Sequence, residues 1–167
     1  MSDMLTELLI ECSEGLDLID RHLVTLELEP ANDELLTEIF RALHTIKGSC
    51  GFYGLDRLEQ VAHSAENLLT LLRAGDLTFS KPIADALLTS VDTFRSILAT
   101  VEDTGGEGNP DVSALTSRLD ALATNTGAED QPATEATPQR RRDDTNELGP
   151  ADPIGPEAGR NDLADVD

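Results

Sequence analysis

Two short strings in this 167-residue chain carry side chains suited to chemistry: His44-Thr45-Ile46-Lys47-Gly48 and His63-Ser64-Ala65-Glu66. On a helix, Leu43 and Ile46 turn toward a core, which rotates His44 toward solvent or a groove edge. Lys47 and Gly48 follow His44 by three and four residues and so share its face one turn on. An imidazole that is to accept a phosphoryl group needs one free nitrogen, a cation nearby and open space for an incoming partner. Lys47 offers the cation. Gly48 offers the space, and a mid-helix glycine costs about 1 kcal/mol relative to alanine, so it asks for a reason. His63 and Glu66 are again three apart and share a face. If that face meets His44, Glu66 accepts a hydrogen bond from Nδ1–H, which fixes the tautomer that leaves Nε2 free and stabilises positive charge on the ring. His63 then joins the same polar network.

Other uses of these residues compete. His44 could be an ordinary exposed helical histidine. His44, His63 and Glu66 could form a facial metal triad, although Lys47 would oppose a divalent cation and the paired Glu-x-x-His motifs of di-iron bundles are missing. A helical bundle that only binds partners would keep the fold without the chemistry.

The elements that must position these side chains are helices. Leu5, Leu8, Leu9, Cys12, Leu16, Ile19, Leu23 and Leu26 step by threes and fours, and Pro30 ends that helix. Asn32 can cap a second helix, whose stripe is Leu36, Ile39, Leu43, Ile46 and Cys50. Leu58, Val61, Ala62, Ala65, Leu68, Leu69 and Leu72 make a third, closed by Gly75. Ser80 can cap a fourth, with Pro82 in its first turn and Ile83, Leu87, Val91, Phe94, Leu98 and Val101 inward. After a Gly-rich break from Thr104 to Pro110, Val112, Leu115, Leu119 and Leu122 mark a short fifth. The expected fold is all-α: an antiparallel four-helix up-down bundle with a fifth helix beside it.

Residues 1–125 form the expected domain. Residues 126–167 hold five of the eight prolines and almost no large apolar side chains, so they read as a disordered acidic tail or linker. Arg140, Arg141 and Arg142 read there as a solvated linker feature. Aromatics are only 3% of the chain, and 33 acidic residues against 12 basic give a net charge of −21. Such a field repels nucleic acid and anionic membrane surfaces. The acidic, charge-interrupted N-terminal stretch does not read as a signal peptide, and no apolar run approaches spanning length. Cys12 and Cys50 fall on apolar stripes and read as small buried hydrophobes in a reducing cytosol.

The run HTIKGSCGFYG, with HSAE at 63–66, resembles the N-terminal histidine-phosphotransfer domain of chemotaxis histidine kinases of the CheA family. That family shows an H-(T/S)-I/L-K-G-x-(A/S)-x-x-x-G run and an H-x-x-E on the next helix, and the similarity spans about residues 1–125. Cys50 stands where the family often has Ala or Ser. The resemblance implies that His44 is the phosphoacceptor, with Glu66 as its hydrogen-bond partner and Lys47 and His63 in the same network. It implies a relay that holds no cofactor or metal itself. ATP and Mg would be bound by a kinase domain acting in cis or in trans, and a CheY-like response regulator would receive the group. Regulator docking is expected near Gly48 and Gly51. The isolated domain is expected to be monomeric and cytoplasmic, and the chain to be a fragment of a longer protein.

Overall fold

A computed structural model describes residues 3–125, so the tail expected over 126–167, with its arginine run, lies outside the described residues. Five helices follow in order: α1 Asp3–Leu28, α2 Asp33–Phe52, α3 Asp56–Ala74, α4 Lys81–Thr104 and α5 Ser113–Thr124. Short connections force sequential helices to run antiparallel. The packed pairs are α1 with α2, α2 with α3, α3 with α4 and α4 with α1, while the backbones of the diagonal pairs stay further apart. That closed ring is the up-down bundle, and α5 lies against α3 and α4.

Helices α2, α3 and α4 bury the stripes that their periodicity marks. On α2 these are Leu36, Ile39, Leu43, Ile46 and Cys50, and on α3 Leu58, Val61, Ala62, Ala65, Leu68, Leu69 and Leu72, all in one core. Leu5 and Leu9 of the α1 stripe are only half-buried, as are Leu115 and Leu122 of α5. Asn32 caps α2 by accepting from the Leu35 N–H at 3.1 Å. Gly75 ends α3 with φ 78°, a left-handed conformation that glycine adopts without a Cβ clash. Ser80 stands at the start of α4, but its side chain makes no capping bond.

Two contacts act from a distance. Glu107, in the α4–α5 connection, accepts from the backbone N–H groups of Arg57 and Leu58 at 2.9 to 3.2 Å. It thereby caps α3, whose N-cap Leu55 has no side chain able to do so. Between α1 and α2, a Cβ placed on Gly15 would lie 3.1 Å from Ile46 Cδ1, so glycine there admits the close approach of the two helices. In the same seam Cys12 and Cys50 are free and buried. Cys50 donates to the Cys12 sulfur, and that bond together with burial raises the Cys50 thiol well above its ordinary range.

Candidate functional site

Apolar anchors on both sides of His44 determine its position. Leu43 and Ile46 are buried, so the intervening turn of α2 presents His44 outward, with 63% of its side chain exposed. Its Nδ1 lies 3.3 Å from each carboxylate oxygen of Glu66 on α3. With Nδ1–H donating, the proton is shared between both oxygens, and the tautomer follows from that partner. Nε2 makes no hydrogen bond among the described residues, on a side chain that is largely exposed.

Lys47 Nζ reaches the same carboxylate, 2.9 Å from Glu66 Oε2. Glu66 is the most enclosed of the three, with 14% of its side chain exposed. Burial alone would raise its pKa. The hydrogen bonds from Lys47 and His44, with their charges, outweigh that effect and hold the carboxyl below its usual range. An ionised Glu66 is therefore built into the groove, with one cation and one imidazole N–H directed at it.

His63 is not part of this bonded group. It makes no hydrogen bond among the described residues and borders an open hollow with Asp56, Glu59 and Gln60. The register explains its place: His44 stands opposite Glu66, and Gly51 stands opposite Glu59. The same register sets Lys47 opposite His63, but the lysine reaches back one turn to Glu66 instead.

A Cβ added at Gly48 would meet no atom within 4 Å, and one at Gly51 would touch only the Glu59 carboxylate, 3.4 Å away at the end of a flexible side chain. Internal packing therefore does not require glycine at either position. Beyond them Phe52 is exposed and meets Tyr53 edge-to-face. Sequence reasoning missed Phe40 and Arg73. The Phe40 ring stacks on the His44 imidazole, and the Arg73 guanidinium lies over the Phe40 ring. The spacing of Phe40, four residues before His44, was an available signal for the first contact. Among the described residues no group of three His, Cys, Asp or Glu is arranged to hold a metal ion. No helix there is long and apolar enough to cross a membrane.

The Hpt domain family matches residues 3–139. The chain belongs to that family. It is 37% identical over 109 residues to the sensor histidine kinase CheAY of Helicobacter pylori, covering 65% of this chain and 14% of that protein. It is 31% identical over 138 residues to the chemotaxis protein CheA of Bacillus subtilis, covering 83% of this chain and 20% of the relative. The chain thus spans about a fifth or less of the length of these curated relatives. Among solved structures, the histidine phosphotransfer domain of CheA superposes with a TM-score of 0.70 at 26% identity, over 79% of this chain and 99% of that one. The phosphorylated P1 domain of CheA3, solved with CheY6 from R. sphaeroides, superposes with a TM-score of 0.69 at 24% identity, over 76% of this chain and all of that one, and supports the fold.

Proposed function

We propose that this Hpt domain carries a phosphoryl group on His44 Nε2, within a chemotaxis-type phosphorelay. The observation that carries the reading is how the imidazole is engaged: Nδ1 is bound to Glu66, which leaves Nε2 without a hydrogen-bond partner among the described residues on a side chain that is 63% exposed. In the forward step the Nε2 lone pair attacks the γ-phosphorus of ATP, the N–P bond forms, and the P–O bond to ADP breaks. The ring gains positive charge as it does so, and ionised Glu66 stabilises that charge through Nδ1–H. Lys47 keeps Glu66 ionised and in place, while His63, outside the bonded group, borders the same helix surface with Asp56, Glu59 and Gln60. In the second step a carboxylate oxygen of a receiver aspartate attacks phosphorus, and the N–P electron pair returns to Nε2.

ATP and Mg belong to a CheA-type kinase domain, acting in cis or in trans, and the acceptor is a CheY-like response regulator. Docking is transient, burying less than about 1,200 Å², and centres on the bare helix surface at Gly48 and Gly51. The working compartment is the cytoplasm, and the domain acts as a monomer.

The test is to supply a chemotaxis kinase domain with labelled ATP. The expected product is an acid-labile, alkali-stable phosphohistidine that His44→Gln abolishes. Labelling that survives the substitution would refute the assignment.

A further inference from the structure

Arg73 stands on α3 two turns beyond Glu66, outside the hydrogen-bonded group. Its guanidinium carbon lies 4.4 Å from the centre of the Phe40 ring. That ring lies nearly parallel to the His44 imidazole, with centroids 6.0 Å apart and planes 14° apart. Phe40 precedes His44 by four residues, so the two share a face of α2. Among the described residues no ion pair or hydrogen bond engages Arg73, in a chain with 33 acidic side chains. The aromatic face therefore holds this guanidinium, by attraction between the cation and the ring quadrupole.

The imidazole needs a second restraint. Rotation about its χ2 is broad and roughly two-fold. The bond to Glu66 is long and divided between two oxygens at 3.3 Å, so it selects the inward nitrogen but leaves the plane free to rock. A ring stacked on the imidazole limits that rocking, provided the ring is itself fixed. We propose that Arg73 is a positioning residue for His44, acting through Phe40. α3 then restrains the imidazole twice, at Nδ1 through Glu66 and on the ring through Arg73 and Phe40. The inference rests on His44 as the phosphoryl acceptor. Small losses of alignment at a reacting atom are expressed as losses of rate.

The test uses the full chain and phosphoramidate, a small donor that needs no docking partner. His44 Nε2 forms the N–P bond, and the donor's P–N bond breaks to release ammonia. Arg73→Gln is expected to slow labelling by about three- to ten-fold. Arg73→Lys, which can also seat a cation on the ring, recovers most of the rate. Phe40→Leu matches Arg73→Gln, and the double variant is no slower than Phe40→Leu alone, because both act along one path. Nitrogen-15 spectra of His44 are expected to show the Nδ1–H tautomer in the wild type and a mixture in Arg73→Gln. If Phe40→Leu does not fold, Phe40→Met replaces it in the cycle. A wild-type rate and tautomer in folded Arg73→Gln, even with a lowered melting temperature, would overturn the proposal, as would losses that multiply in the double variant. If wild-type His44 takes no label from phosphoramidate or from kinase and ATP, the acceptor reading fails, and the tautomer comparison still decides the clamp.

Discussion

The domain contains two histidine–glutamate pairs across adjacent helices, and they differ in all that surrounds them. His22 on α1 meets Glu38 on α2 through Nε2, with a separation of 2.5 Å and only 22% of the histidine side chain exposed. His44 meets Glu66 through Nδ1, and there the histidine is exposed while the carboxylate is enclosed. In the first pair the outer ring nitrogen is consumed by the carboxylate. In the second it is left free. Glu66 also receives Lys47, whereas no lysine or arginine bridges to Glu38 among the described residues. A carboxylate next to a histidine is therefore not what distinguishes the candidate site. The engaged nitrogen, the added cation and the bare turn at Gly48 distinguish it.

His44→Gln is expected to remove all phosphohistidine formed with kinase and ATP, and His22→Gln to leave labelling within about two-fold, the size of a change without a role in the transition state. Label lost from the His22 variant at equal folded fraction would erase the contrast. Next in size, Glu66→Ala is expected to slow phosphorylation by about ten- to a hundred-fold, as loss of the group orienting an imidazole does, with the helical circular dichroism retained. Glu38→Gln leaves the rate unchanged and costs less than about 1 kcal/mol in denaturant unfolding, as exposed pairs do.

Gly48→Ala separates fold from partner. The added methyl enters open space, so the domain is expected to gain about 0.5–1 kcal/mol of stability, while the KM for kinase or regulator rises. A destabilised variant, or one with unchanged KM, would show that the glycine serves something else. Glu107→Ala is expected to cost about 1 kcal/mol by uncapping α3 and to spare phosphorylation per folded molecule, which unfolding curves and labelling together check.

The smallest effect is in pH. Glu66 titrates below its ordinary value when folded, so its contribution is complete above the ordinary glutamate pKa and is lost as pH falls through the depressed one. The stability gap between wild type and Glu66→Gln is therefore expected to be present at neutral pH and to close as pH falls through the depressed value. A gap already absent at neutral pH would contradict an ionised Glu66.

The helices were legible because apolar side chains at threes and fours have one way to leave water together, and the stripes of α2 and α3 are buried as read. The contact between His44 and Glu66 was legible because residue type and spacing put each side chain on a helix face that can meet the other before the fold is known. What escaped depends on how two helices slide against one another. Arg73 over Phe40, His22 beside Glu38 and Glu107 beneath α3 each join residues more than a dozen positions apart. His63 lies outside the bonded group for the same reason, since the register sets it opposite Lys47 while that side chain turns to Glu66.

In nuclear magnetic resonance of the phosphorylated domain, labelled with nitrogen-15 in histidine, phosphorus–nitrogen coupling identifies the atom that carries the phosphoryl group. Phosphorus is expected on Nε2 of His44, with Nδ1 still carrying the proton that it donates to Glu66. Phosphorus on Nδ1 of His44, or on His22 or His63, would contradict it.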